Sequence, residues 1–382
     1  MAAFLPSADQ TLTAADIAHK AERDVEPNRN YLGCSSIGKA CRRALWYEFR
    51  HCTERDINPS GYRAIEDGER GETVIVKRIR RVKGVDLLDI DPGTGRPFAV
   101  EAISGHLRGH LDGAVHELLQ APKTWTVFEA KVCNEKKFNV LVKLRTEDEK
   151  GALEKWDAVY FGQAQMYMGL TGMSRHWLVC ATPGVRDWTA VRTEFNKAYF
   201  DRLLDKARKI IEATEPLERI SEDPKFFQCG WCAAKAICHE RAIPAPNCRN
   251  CCHATPEMDG KARWSCFFHS RDLTLTEQRA GCSDHVYIPA LIPFDLKDGS
   301  EAGNYAEYVI GEKLVRNGSG DTNVYSSAEW VAAQVGNYEA LTNQATEYWK
   351  LNFGATIETR AVPPAVFDPD EALEKIDEVL RQ

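Results

Sequence analysis

Asp112, followed 17 residues later by Glu129-Ala130-Lys131, is the pattern in this chain with the sharpest chemical meaning. The segment Gly109-His110-Leu111-Asp112-Gly113 lies in one run of β-forming residues, and Glu129 and Lys131 close another, Trp125 to Val132. Strand side chains alternate between faces, so Glu129 and Lys131 project to one side and Ala130 into the core. If the two runs pair as a hairpin through a turn at Pro122, Asp112 comes within cross-strand distance of Glu129. Two hard carboxylates can hold magnesium or manganese with water sites left open, and such an ion acidifies its water and polarises a phosphate. An ammonium beside them stabilises developing charge or orients the attacking water. Phosphodiester hydrolysis is the chemistry expected. A surface ion pair is the plainer reading of an E-x-K triplet, but an apolar strand opposite Asp-Gly is a poor setting for one.

Cysteine supplies two further centres. The chain holds 13 cysteines, and no export signal is read at Met1 to Gln10, so a disulfide framework is not expected and metal ligation is. Cys229-Gly230-Trp231-Cys232 followed by Cys238 offers three thiolates from a compact segment that needs a fourth ligand. Four thiolates serve either zinc or an iron-sulfur cluster. Downstream, Cys248-Arg249-Asn250-Cys251, Cys266 and Cys282 have zinc-ribbon spacing. His285 can replace Cys282, and Cys252, His253 and His269 are less regular candidates. So small a knuckle has little apolar core, and zinc would supply much of its folding energy. A grip on DNA or a partner contact is its expected role. Cys52, Cys133 and Cys180 read as buried small hydrophobes. No histidine is paired with Cys133, which argues against a cysteine hydrolase.

The elements that must position these groups follow from the hydrophobic pattern. After a short helix beyond Thr13, helices are expected at Arg42 to Arg50 and Ala64 to Val82, then strands at Leu87 to Ile90, Phe98 to Ile103, Leu107 to Leu118 and Trp125 to Val132. A helix near Trp156 to Gly169, a strand at His176 to Ala181 and a helix from Asn196 to Thr214 complete the pattern. That order predicts an α/β fold with a mixed central sheet flanked by helices. Pro244-Ala245-Pro246 marks a boundary, after which the composition turns to Cys, His, Arg and Asn. Beyond Pro293 a polar, glycine-containing region leads to helices near Ser327 to Val335 and Pro369 to Leu380. No internal repeat is present.

A length of 382 residues predicts a main domain with one or two smaller units, and 43% hydrophobic with 27% charged residues is ordinary globular composition. No apolar run is long enough to span a bilayer, so no membrane partner is expected, and a cytoplasmic location follows by default. The net charge of -7 excludes a protein that coats nucleic acid through bulk positive charge. DNA contact must be local. Lys77, Arg78, Arg80, Arg81 and Lys83 form either a phosphate track or a solvated helix face.

Asp112 and Glu129-x-Lys131 resemble the second and third motifs of the PD-(D/E)XK nucleases, and the RecB-like branch is the most similar. That resemblance implies a restriction-endonuclease-like core. It also implies a first-motif glutamate on the preceding helix, where Gly68-Glu69-Arg70-Gly71-Glu72 resembles G-x-x-x-E and makes Glu72 the matching carboxylate, with Glu69 and Glu66 as fallbacks. Gln163 and Tyr167 reproduce the QxxxY motif of that branch and share one helix face. Gln163 is expected to bond a catalytic side chain or the DNA backbone, and Tyr167 to stack on a base or hold a phosphate. Gln165 is the alternative register. Branch members with an iron-sulfur cluster, such as CRISPR-associated exonucleases, place one cysteine far upstream. Cys41 resembles that position, with Cys34 as competitor, and a [4Fe-4S] cluster on Cys41, Cys229, Cys232 and Cys238 is implied, zinc being the alternative.

The expected organisation is an extension at 1–30, a nuclease domain at 31–243, a zinc-ribbon-like module at 244–293 and a C-terminal region at 294–382. The expected function is a metal-dependent DNA nuclease, an exonuclease or flap-type enzyme acting on single-stranded DNA or duplex ends in recombination, repair or phage-like DNA metabolism, with a recombination or replication protein as a further partner. A noncatalytic nucleic-acid-binding adaptor using the metal centres is the rival. No Walker sequence is present, so no helicase motor accompanies the motifs.

Overall fold

In the computed structural model, residues 9–24, 27–54, 56–320 and 324–359 are described. They fall into two compact units, Met1–Phe294 and Asp295–Gln382.

The first unit is organised by the helix Pro59–Ile79. Asn58 caps it by accepting from Gly61 N at 2.8 Å, and Pro59 occupies the first turn, where no backbone N–H is needed. Its buried face, Gly71, Ile75 and Ile79, lies on a five-stranded mixed sheet. The strand order is Trp188–Glu194, Arg175–Ala181, Thr126–Val132, Gly113–His116, Asp86–Leu88. Only Thr126–Val132 and Arg175–Ala181 run parallel, with Val127 opposite His176 and Lys131 opposite Cys180. Ile75, Ile79, Leu87, Val115, Phe128, Ala130 and Val179 form one apolar cluster between helix and sheet. Burying side chains of this kind stabilises by roughly 1.5–3 kcal/mol each. The helices Ala158–Thr171 and Lys197–Glu212 pack together, and the former also lies against the sheet. The expected architecture, a mixed central sheet flanked by helices with an attached cysteine-rich module, is the one observed.

Three details depart from expectation. The single strand expected at Leu107 to Leu118 is two: Leu107–His110 pairs with Ala99–Ala102 and Leu32–Gly33 in a separate sheet, while Gly113–His116 joins the central one. Asp112 sits at the break. The strand Trp188–Glu194 was not expected, although its buried Thr189, Val191 and Thr193 alternate with more exposed residues as an edge strand requires. The helix Glu135–Glu147 was also missed. Asn134 caps it, but only Phe138 and Leu141 are buried, too few to give a period.

The cysteine-rich segment belongs to the first unit and is anchored by two buried arginines. Arg249 donates to Phe49 O at 3.0 Å and Asn30 O at 2.7 Å, and its guanidinium lies 4.6 Å from the Trp264 ring centroid. Arg50 donates to Arg249 O and Ala254 O, both at 3.2 Å. In the second unit, strands Asp295–Ser300, Tyr305–Ile310, Lys313–Gly318 and Val324–Tyr325 form a sheet. The helices Ser327–Gln334, Glu339–Thr342 and Gln344–Phe353 follow it. Trp330, fully buried, packs edge-on against Tyr308 at 5.5 Å. The helix expected at Pro369 to Leu380 lies outside the described residues. No helix among the described residues is long and apolar enough to cross a membrane.

Candidate active site and metal centres

The antiparallel register ends at Gly113 opposite Phe128, with Asp112 one residue beyond the pairing and Glu129 next along the partner strand. The Asp112 carboxylate accepts from Ala130 N at 2.9 Å, which fixes it where the strand pairing stops. Glu129 and Lys131 share a strand face, and Lys131 Nζ lies 2.6 Å from Glu129 Oε1 and 3.4 Å from both Asp112 Oδ2 and Glu72 Oε1. Lys131 Nζ also donates to Ala130 O at 2.8 Å. Three carboxylates thus surround one ammonium.

Glu72 reaches this group because its helix runs close over the strand. Gly71 faces Val132, and a Cβ at Gly71 would collide with the Val132 side chain. The alternatives to Glu72 are engaged elsewhere: Glu66 pairs with His19 at 3.0 Å and Glu69 lies 3.9 Å from Arg23.

Gln163 Nε2 donates to Glu129 Oε1 at 2.7 Å, a contact within the carboxylate group. Gln165, the alternative register, is fully buried and spans Glu194 O and Asn196 N instead. Tyr167 is only 2% exposed and donates to His110 O at 2.7 Å. It packs beside Gly109, so its ring has no face for a base, contrary to the expected stacking role; it holds the segment that leads into Asp112.

Burial dominates the electrostatics. Glu129 is 3% exposed, and desolvation pushes its carboxyl up to about 7 despite Lys131. Burial also raises Glu72. Burial alone would lower the Lys131 ammonium, but Glu129, Asp112 and Glu72 outweigh it and hold it well above the ordinary lysine range. Glu129 Oε2 is buried with no hydrogen-bond partner among the described residues. An orphaned buried acceptor is costly, and a divalent cation shared with Asp112 and Glu72 would satisfy it. The donor set, hard oxygens only, fits magnesium or manganese.

Cys41, Cys229, Cys232 and Cys238 line one small cavity. Cys41 caps the helix Arg42–Phe49, its sulfur accepting from Ala44 N at 3.4 Å. Arg219 donates through Nε to Cys238 Sγ at 3.4 Å. Cys34, the competitor, is fully buried against Gly109 and does not line that cavity. No three of the four sulfurs lie within 4.8 Å of one another.

Cys248, Cys251, Cys266 and Cys282 line a second cavity, with His253, His269 and Asp284. Asn247 caps the turn at Cys248–Asn250 in a reciprocal pair with Asn250. Burial, then the sulfurs of Cys282, Cys251 and Cys266, push the Cys248 thiol up to about 12. No three of these four sulfurs lie within 4.8 Å of one another, but thiols that raise one another's pKa cannot all ionise without a cation among them, which is the chemical fit to zinc. Ligand atoms of His269, Cys282 and Asp284 lie within 4.8 Å of one another, as do those of Cys251, Cys252 and His253. Asp284 was not expected; its place two residues after Cys282, with only Ser283 between, was the available signal. His285, the expected substitute for Cys282, lines the same cavity, and its Nε2 lies 3.0 and 2.9 Å from Asn247 O and Asn250 Oδ1. Cys52 and Cys180 are buried, and Cys133 lies 3.4 Å from the Cys180 sulfur. In the basic run, Arg78 donates to Val185 O and Arg80 pairs with Asp89 at 2.6 Å, so at least two of its cations have structural partners.

No protein-family model matches the chain, and no curated protein matches its sequence. Among solved structures it is similar to the alkaline exonuclease LHK-Exo from Laribacter hongkongensis, with 16% identity over 50% of this chain and 90% of that one and a TM-score of 0.34. The same exonuclease in complex with dAMP gives 17% identity, the same coverage and a TM-score of 0.34. A phage-related exonuclease from Haemophilus somnus 129PT shares 14% identity over 47% of this chain and 92% of that one, again with a TM-score of 0.34. At that level these likenesses carry no weight for the chemistry, which rests on the side-chain geometry.

Proposed function

We propose that this chain is a divalent-cation-dependent deoxyribonuclease, an exonuclease in its mode of action, of the PD-(D/E)XK type. The observation that carries the reading is the buried Glu129. It shares one oxygen between Lys131 and Gln163, keeps the other without a partner, and meets Asp112 at the Lys131 ammonium. A surface ion pair needs neither that burial nor the orphaned oxygen.

Asp112, Glu129 and Glu72 would hold magnesium or manganese. When bound, such an ion polarises the scissile phosphate and acidifies its water. Lys131 stays protonated and supplies charge to the phosphate oxygens as negative charge develops, besides orienting the attacking water. Gln163 fixes the rotamer of Glu129. Tyr167 acts through His110 to hold Asp112 in place. A [4Fe-4S] cluster on Cys41, Cys229, Cys232 and Cys238 would join the Arg42–Phe49 helix to the end of the domain, closing a long loop. Zinc on Cys248, Cys251, Cys266 and Cys282 would stabilise the downstream module and its contacts to DNA or a protein partner of recombination or replication.

The test is hydrolysis of end-labelled DNA with magnesium or manganese. Asp112→Ala and Glu129→Ala proteins should fold and bind DNA yet lose cleavage, and Lys131→Met should lose on the order of 10²–10³-fold. Full activity in both carboxylate variants overturns the assignment. DNA binding without cleavage by the parent chain leaves a noncatalytic adaptor. Linear, nicked and circular substrates separate end-dependent from internal cleavage.

A further inference from the structure

The helix Ala158–Thr171 carries Tyr160 one turn before Gln163. Residues three apart share a helix face, so Tyr160 stands beside the carboxylate centre. Its phenol feels the charges of both Lys131 and Glu129. Lys137 comes to the same place from the other side, in the first turn of Glu135–Glu147, which starts just after the strand Thr126–Val132. Its Nζ lies 4.7 Å from the Trp156 ring centroid and 4.9 Å from that of Tyr160.

Several contacts lock this group. Asp157 Oδ2 accepts from Lys137 Nζ at 2.7 Å, while its Oδ1 caps Val159 N and Tyr160 N at 2.9 and 3.1 Å. Trp156 Nε1 donates to Lys137 O at 2.8 Å, and the Trp156 and Tyr160 rings lie 5.6 Å apart at 30°. Asp157 takes one of the three ammonium N–H donors, so it fixes Lys137 without exhausting it. The Lys137 side chain remains 38% exposed, and Trp156 and Tyr160 are half-buried residues.

We propose that Lys137, Trp156 and Tyr160 form a nucleotide-binding platform at the rim of the carboxylate centre that takes a single-stranded polynucleotide. A phosphate beside the scissile one lies on Lys137 Nζ, and its base stacks on the exposed aromatic surface. The proposal rests on the nuclease reading above and names the substrate form of that site. The net charge of -7 leaves no bulk attraction for DNA, so affinity has to come from local contacts of this kind. Ring faces favour a single strand because its bases can be splayed onto a side chain, whereas duplex bases already stack on each other.

The test uses full-length protein loaded with its metals, in an Asp112→Ala background that binds without cutting. Fluorescence anisotropy is read with a labelled oligothymidylate and with a duplex of equal length, at several salt concentrations. Tyr160→Leu should weaken oligothymidylate binding by roughly 5- to 100-fold, the range of one stacking contact, while Tyr160→Phe keeps it. Lys137→Gln should weaken it and reduce the slope of log affinity against log salt by about 0.7, the loss of one single-strand phosphate contact, and Lys137→Arg should restore it. Duplex binding should change less. In the cleaving protein, Lys137→Gln should raise KM more than it lowers kcat. Parent-like oligothymidylate affinity and salt slope in Tyr160→Leu and Lys137→Gln overturn the platform alone. A parent that neither binds nor cuts DNA overturns the nuclease reading and the platform with it.

Discussion

Gln163 Nε2 donates to Glu129 Oε1 at 2.7 Å, joining a helix to a strand residue 34 positions earlier in the chain. The same oxygen lies 2.6 Å from Lys131 Nζ. With two donors on one oxygen, the Glu129 carboxyl is held in one rotation, and its second oxygen stays buried without a hydrogen-bond partner among the described residues. Gln163→Leu removes one of these restraints. Cleavage is expected to fall by about 10- to 100-fold, the effect of losing one hydrogen bond to a buried charged group, and half-maximal activity to need more magnesium. A magnesium titration of initial rates checks this; unchanged rates and midpoint would remove Gln163 from the site.

Gly71 sets the distance of Glu72 from the strand, since any Cβ there meets Val132. Gly71→Val is expected to push the helix outward and draw Glu72 away from Lys131. The cost to stability is about 1–3 kcal/mol, typical of overpacking. Chemical denaturation and initial rates, measured together, should show activity falling further than the folded fraction. Equal losses would mean that the glycine serves packing only.

Acid sensitivity follows from buried histidines. Burial holds His51 and His285 down to about 4 and His176 down to about 3, with Arg249 adding to the effect at His51 and Lys131 at His176. Between pH 4 and the ordinary histidine value of about 6.5 the unfolded chain binds protons that the folded chain does not. Stability therefore increases with pH across that window and is lost as pH falls through it, by up to about 1.4 kcal/mol per pH unit for each group. His51→Gln keeps a donor for Arg29 O, which His51 Nε2 contacts at 2.8 Å. It should flatten the slope of unfolding free energy by about one proton. An unaltered slope would show that His51 also titrates normally in the fold.

The two cysteine centres predict different metals. Protein purified without oxygen should be brown and contain iron, and Cys41→Ala should abolish both features while retaining zinc. Stoichiometric zinc without iron at the first centre would refute the cluster.

Arg249 lies between Cys248 and Cys251 and bonds the backbone of Asn30 and Phe49, so the second centre is tied to the body of its unit. Cys266→Ala should lose one equivalent of zinc and lower Tm by about 5 °C or more, at the 2–4 °C per kcal/mol expected for this size. Retention of both metal and Tm would show that Cys266 is no ligand.

Much of the site was legible because its signals are local. The strand period places Glu129 and Lys131 on one face wherever the strand lies, and a four-residue spacing places Gln163 and Tyr167 on one side of a helix. Cysteine spacing groups Cys229 with Cys232 and Cys248 with Cys251 for the same reason, since a knuckle is built from residues close in the chain, whereas the distant Cys41 is implied only by the resemblance. The mixed sheet between helices also follows from the order of local periods.

Contacts between distant segments were not legible, because no local period encodes them. Only the fold brings Gly71 onto Val132, splits the strand at Asp112 between two sheets, buries Tyr167 away from any base and seats Lys137 between Trp156 and Tyr160. Burial is likewise a tertiary property. The residue types at Asp112, Glu129 and Lys131 determine which chemistry is available, while desolvation by the packed sheet and helices raises Glu129 and leaves its second oxygen without a partner.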